Sequence, residues 1–351
     1  MPGFLSQLQT LIQIKIANRP WHIPFMVALG AGVPALVGAL LGRVDLAILA
    51  AMGAMVFLYI QPLPLLQRMR RLFWCSLGLV ACFALGLGAS FSVYTATAAL
   101  FVAVFGATLI TRFYAVAPPG SFFFILVTVI GIIQPSGVAQ LPLRAGLVAA
   151  GAGFSCFLAL LYSLLPRAYP PQEAPAAATV VRPFALILEA GVIAFFVATS
   201  YVIAIALSLD NPYWVPISCA AVMQGASFRM VVQRKLHRVF GTALGLILAA
   251  LLFTLPLNPV AIALLIMLLT FVVEFLVMRN YGLAVIFITP LTVLFAEATA
   301  VNWVPEVLLR ARLLDIVLGS LLGLIGGWMV YHPTAFERME RWLMRLCRCS
   351  S

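Results

Sequence analysis

The sequence predicts an all-α membrane fold: about twelve transmembrane helices in two parallel-related six-helix repeats, with short interfacial helices at both termini. Three observations predict it. Of the 351 residues, 64% are hydrophobic and 9% charged, with mean hydropathy +1.13, whereas about a quarter of a soluble domain is charged. The apolar residues fall into runs near the ~20 residues a bilayer requires. Basic residues separate those runs and favour alternate gaps.

Phe4, Leu8, Leu11 and Ile12 repeat at helical spacing opposite Gln9 and Gln13, which predicts a short helix lying in the membrane interface. The first apolar stretch begins near Ile23, is long enough to span and lacks a small-residue cleavage pattern, so no cleavable leader is expected. Spans are expected near 22–42, 46–60, 72–89, 93–111, 114–133 and 145–165, then near 184–208, 213–227, 239–256, 259–278, 281–297 and 313–331. They divide the chain into a first membrane repeat (1–166), a Pro-rich cytoplasmic linker (167–183), a second repeat (184–331) and a basic tail (332–351). The linker, with Tyr169-Pro-Pro-Gln-Glu-Ala-Pro175, reads as an extended tether. In the tail, Phe336, Met339, Leu343 and Leu346 share one helix face and Arg338, Arg341, Arg345 and Arg348 another, which suits an anionic inner leaflet.

With the N-terminus inside, only Arg43, Arg144, Arg310 and Arg312 of the 21 Lys and Arg fall on the outer side. The positive-inside rule then places both termini in the cytoplasm of a multi-pass protein of the bacterial inner (plasma) membrane. The net charge of +11 is thereby a matter of topology, and no nucleic-acid partner is expected. No cysteine or histidine spacing makes a closed metal site, and Cys347 and Cys349 read as reduced tail thiols. No Walker sequence or other enzyme motif is present, so neither catalysis nor a cofactor is expected. Transport energy would come from an ion gradient or a partner.

The two halves repeat. Arg70-Arg-Leu-Phe-Trp-Cys-Ser-Leu-Gly78 matches His237-Arg-Val-Phe-Gly-Thr-Ala-Leu-Gly245 at an offset that also pairs Arg112 with Arg279 and Tyr114 with Tyr281. One residue more pairs Arg144 with Arg312 and Gly151 with Gly319. An even number of spans per half makes the repeats like-oriented, related by an axis along the membrane normal.

Tyr213-Trp-Val-Pro-Ile-Ser, Met223-Gln-Gly and Gln233-Arg-Lys-Leu-His-Arg-Val-Phe-Gly-Thr-Ala-Leu-Gly245 together resemble the signature of the fusaric acid resistance protein (FUSC) family, the aromatic acid exporter group. In that family a Trp-containing span ends in a Gln-Pro-like break, followed by a basic stretch and an Arg-x-x-Gly-Thr-x-x-Gly opening. The first half echoes it with Gln61-Pro62 and Arg71 to Gly78, but has Trp74-Cys75 in place of Gly-Thr. The resemblance implies proton-driven export of aromatic or other organic carboxylic acids, and distant relatives include plant anion channels. Many members carry a sizeable cytosolic domain where this chain has only the short linker.

Ionisable groups within spans are functional candidates. Glu274, in Thr270-Phe-Val-Val-Glu-Phe-Leu-Val, is the clearest proton-coupling candidate, and Glu189 a weaker one. The alternative is that Glu274 lies near the inner surface and pairs with Arg279 or another arginine. Arg112 and Arg279, each two residues before Tyr114 or Tyr281, would draw a carboxylate and let the tyrosines stack on its ring, or would simply anchor the inner boundary. Gln61-Pro62-Leu-Pro64 and Gln224-Gly225 occur at the inner ends of the second spans, and Trp214 opens the second of these; Pro118-Pro-Gly-Ser121 and Thr289-Pro290 interrupt the fifth. Such breaks either line a pathway or only shape the bundle. Arg144, Arg310, Arg312, Asp315, Glu297 and Glu306 gather on the outer side as a vestibule or a structural network. The expected partners are an organic anion, the lipid bilayer, and a second copy of the chain or a membrane-fusion protein. The leading expectation is a proton-driven efflux transporter of organic carboxylates; a passive organic-anion channel and a non-transporting scaffold are the alternatives.

Overall fold

Helix starts are written plainly in this chain. Asn258 accepts from Ala261 N at 2.8 Å and is followed by Pro259 at the first helical position, while Ser92 accepts from Tyr94 N at 3.3 Å. A computed structural model describes residues 19–134, 138–165, 183–225, 227–297, 305–334 and 336–341. Among them run α1 (His22–Leu40), α2 (Val44–Gly53), α3 (Leu65–Gly88), α4 (Val93–Phe113), α5 (Phe122–Ile132) and α6 (Leu141–Leu164). These are followed by α7 (Pro183–Ala206), α8 (Trp214–Met223), α9 (Phe228–Leu252), α10 (Pro259–Val277), α11 (Tyr281–Glu297) and α12 (Pro305–Tyr331). The expected interfacial helix before residue 19, nearly all of the linker, and the tail beyond residue 341 lie outside the described residues.

Among the described residues, 8 helices are long and apolar enough to cross a membrane. The shorter apolar segments are Val44–Tyr59, Phe122–Ile132, Trp214–Met223 and Tyr281–Phe295, which are the second and fifth places of each half. At ~1.5 Å per residue, a helix of ten or eleven residues covers about half of a ~30 Å hydrocarbon core. The stretch expected as a span over 114–133 is therefore helical only from Phe122. Pro118 and Pro119 cannot donate to a helical ladder, and Gly120 takes a left-handed φ of +56°. Pro290 behaves otherwise, because α11 continues through it. Its missing N–H frees the Ile286 carbonyl one turn earlier, and a Cβ at Gly245 of α9 would stand 2.6 Å from that oxygen.

The chain divides into two compact units, and each draws on both halves of the sequence. The first holds α1, α2, α6, α10 and α11, with α3 as far as Ala81 and α9 from Leu236. Within it α1 packs on α10 and α2, α2 on α6, and α10 on α11. Ala35 and Ala39 of α1 meet Ile266, Leu269 and Val273 of α10 and Leu291 and Leu294 of α11 in one buried cluster. The second unit holds α4, α5, α7 and α8, with α3 from Cys82, α9 as far as Lys235 and α12 from Leu314. Within it α4 packs on α7 and α5, and α8 packs on α7 and α5. Small residues bring backbones together in both units: a Cβ on Gly151 of α6 would lie 1.8 Å from the Ala50 carbonyl oxygen of α2, and one on Gly319 of α12 2.3 Å from the Val215 oxygen of α8.

Candidate functional site

In the first unit, α2 passes into a buried 3₁₀ turn, Ala54–Tyr59, and the chain becomes extended at Ile60. The Gln61 carbonyl accepts from Arg68 Nε at 2.9 Å, Arg68 Nη1 donates to Ser163 Oγ at 2.8 Å, and Arg71 donates to the Gln61 side-chain oxygen. Arg68 is 3% exposed, a burial that a guanidinium tolerates when its donors are used in this way. Tyr162, beside Ser163 on α6, hydrogen-bonds His22 Nδ1 at 2.8 Å. Glu274, buried on α10, is held by Arg19 just ahead of α1, Nη1 to Oε2, at 2.9 Å. Arg279 turns back along its own chain: Nη1 donates to the Phe275 carbonyl at 2.5 Å and the guanidinium lies 3.8 Å from the Phe275 ring centre. Tyr281 opens α11 and stacks on His237, centroids 6.4 Å apart.

The second unit gathers more polar groups around a shorter helix. All ten residues of α8, from Trp214 to Met223, are buried, and the Trp214 ring tilts against Tyr213 at 5.1 Å. The last carbonyls of such a helix lack intrahelical donors. Arg234 Nη1 approaches the Ala221 oxygen at 3.3 Å, and the Tyr331 hydroxyl donates to the Gly225 oxygen. Both donors also oppose the negative pole of the helix end. Gln224 Nε2 donates to Ser121 Oγ at 3.1 Å, and Thr108 Oγ1 lies 3.3 Å from the same oxygen. The break after α8 is thus fastened to the break before α5.

One ion pair stands beside this end. Arg112, in the last turn of α4, meets Glu189 of α7, Nη2 to Oε1, at 2.7 Å. The charges of Glu189, Arg112 and Arg234 all act on the Tyr331 phenol. An open apolar groove of about 290 Å³ follows the same two helices, lined by Leu109, Ile110, Phe113 and Tyr114 of α4 and Pro183, Leu186 and Ile187 of α7. Tyr114 belongs to that groove, exposed and edge-on to Phe113 at 5.1 Å, while Arg112 and Glu189 are not among its walls.

Arg112 and Glu189 meet in the second unit, where Gln224 also lies, and Glu274, Arg279, Tyr281 and Gln61 lie in the first. Ser121 was expected only as part of the Pro118-Pro-Gly-Ser121 break, and Arg19, Arg234 and Tyr331 were not among the candidate site residues. Arg19 lies ahead of the first apolar run and Tyr331 ends the last one, positions at which boundary anchoring is the ordinary reading. Of the group expected on the outer side, Arg312 and Asp315 are buried on α12, one turn apart, with Arg312 donating to Thr292 Oγ1; Arg144 donates to Gln140 Oε1 at 3.1 Å. The side chains of Glu297, Glu306 and Arg310 lie outside the described residues. Among the described residues, no group of three or more His, Cys, Asp and Glu gathers as metal ligands would.

Residues 193–326, from within α7 to within α12, match the family model described as fusaric acid resistance protein-like. An uncharacterized membrane protein of Bacillus subtilis, YvaC, is 34% identical over 146 residues, covering 41% of this chain and 23% of that protein. The chain thus spans about a quarter of the length of the curated relative it matches. No solved structure matches it significantly. Eight apolar helices of spanning length among the described residues, together with this match, make the chain a multi-pass membrane protein whose second half is similar to the fusaric acid resistance protein-like family.

Proposed function

We propose that the protein is a secondary transporter that exports organic carboxylates, aromatic ones foremost, across the bacterial inner membrane in exchange for protons. Both termini are cytoplasmic in this reading, and the short helices with their extended continuations complete twelve crossings in two like-oriented repeats. The observation that carries it is Glu274, a carboxylate buried within an apolar helix and bonded to a single arginine, Arg19, at 2.9 Å. A carboxylate in that position alternates between a proton and an arginine, and each state changes how α1 and α10 are held together.

The duplication is supported by an exchange of partners. The first helix of the first half packs on the fourth of the second (α1 on α10), and the first of the second half on the fourth of the first (α7 on α4). Each of these pairs carries an ion pair at one end, Arg19–Glu274 and Arg112–Glu189, with the acid and base exchanged between the helices. Gly151 and Gly319, matched in sequence, make the same close approach to the second helix of their own half.

The test is transport by proteoliposomes containing the full chain and loaded with several aromatic acids. Efflux rising with an imposed pH gradient and losing that dependence in Glu274→Gln is expected; efflux indifferent to the gradient overturns the proton-coupled reading. A passive organic-anion channel is the second reading, favoured by the closed state of the Arg19–Glu274 pair, which needs no proton to persist. Voltage-driven anion current, independent of protons and retained in Glu274→Gln, would establish it.

A further inference from the structure

The two ion pairs differ in how far they are shut away. In Arg19–Glu274 the side chains are 17% and 9% exposed, and in Arg112–Glu189 they are 41% and 18% exposed. The second pair is therefore accessible, and its Arg112 meets Glu189 at 2.7 Å and hydrogen-bonds the Tyr331 phenol from the same planar fork of five N–H donors. It also stands where the second unit is most polar. Tyr331, which feels the charges of Arg112, Glu189 and Arg234, holds the break just after α8 through the Gly225 carbonyl. Arg234 reaches the same helix end at the Ala221 carbonyl. A second carboxylate arriving here would meet a guanidinium already arranged to hold one.

We infer that Glu189 is a resident stand-in for the transported anion: an incoming organic carboxylate takes the Arg112 guanidinium, and Glu189 is displaced from it. The inference rests on the carboxylate reading of the substrate above. It assigns Arg112 as the carboxylate-binding residue, Glu189 as an internal competitor rather than a proton carrier, and Tyr331 as the group that passes the exchange to the end of α8. No covalent step is involved, because one ion pair is traded for another of the same kind. When Arg112 is occupied by the foreign carboxylate, Glu189 is left facing Tyr331 and Arg234, and the field on the residue that holds the break after α8 changes.

The test is equilibrium binding of radiolabelled benzoate to the purified full-length protein in lipid nanodiscs. If the resident pair is formed about nine-tenths of the time, removing the competitor tightens binding about tenfold. Glu189→Gln is expected to show that gain, Glu189→Asp a smaller one because the shorter side chain holds Arg112 less well, and Arg112→Gln to lose binding. Tyr331→Phe should leave benzoate bound while altering transport in proteoliposomes. Benzoate binding that is intact in the wild type and unchanged or weaker in both Glu189 variants overturns the stand-in assignment alone. Absence of binding in wild type and Glu189→Gln alike overturns the aromatic-carboxylate reading with it. Should Glu189→Gln not elute as a folded species, Glu189→Asp carries the comparison.

Discussion

Replacing Gly151 with alanine tests the packing that holds the first unit together. The new Cβ would stand 1.8 Å from the Ala50 carbonyl oxygen, 2.6 Å from its carbon and 2.9 Å from its Cα. Ordinary contact between such atoms begins near about 3.4 Å, so the methyl is short of room by about 1.6 Å. The obstructing atoms are backbone, and Gly53 meets the opposite wall in the same way, its Cβ position lying 2.0 Å from the Val148 oxygen. Neither helix can give by a rotamer change; α2 and α6 must separate. Overpacking of this kind costs about 1–3 kcal/mol, and more where backbone must move. Gly153 lies two residues away on the same helix with nothing within 4 Å of its Cβ position, so alanine there is neutral or gains up to about 1 kcal/mol from helix propensity. The assay is thermal unfolding of both variants in one detergent, with about 2–4 °C expected per kcal/mol. Equal melting of Gly151→Ala and wild type, or an equal fall in Gly153→Ala, would refute the argument.

Two further predictions concern the charged groups of the first unit. Arg19→Gln and Glu274→Gln, measured by the same melting experiment, should each destabilise by about 3–5 kcal/mol, because either change strands a buried charge, whereas Arg19→Met with Glu274→Leu should recover most of the loss. Arg68→Met removes the donors to the Gln61 carbonyl and Ser163 together, and is expected to lower stability by about 3 kcal/mol and to make the Gln61-Pro62 segment more susceptible to limited proteolysis.

Helices were easier to foresee than their partners. Every stretch expected to span contains a helix, because runs of apolar residues and the prolines or capping residues before them are local signals. The faces were less legible. In lipid, a helix surface is apolar whether it touches protein or acyl chains, so α8, buried at all ten positions, and α3, with Phe73 and Trp74 exposed, read alike in sequence. The breaks at Gln61 and Gln224 were visible from their glycine and proline neighbours, but what fastens them was not. Ser121 lies 103 residues from Gln224, and Arg19 lies 255 from Glu274, separations over which no periodicity speaks. Pro290 misled for a physical reason. A lost N–H breaks a helix only if the freed carbonyl and the ring cannot be accommodated, and here a glycine of α9 gives the carbonyl room.

That each unit draws on both halves of the sequence bears on how the protein is made. Of these helices α1 is made before the others, yet its largest neighbour, α10, begins more than two hundred residues later, and α4 must wait for α7. Early helices are therefore sheltered by lipid alone until the second half is inserted. Two separately synthesised halves would each lack the partners their helices need, and they would complete themselves only by trading helices with one another. Copies produced side by side in a crowded membrane could make the same trade between chains, so a helical membrane protein of this plan carries a built-in route to swapped dimers.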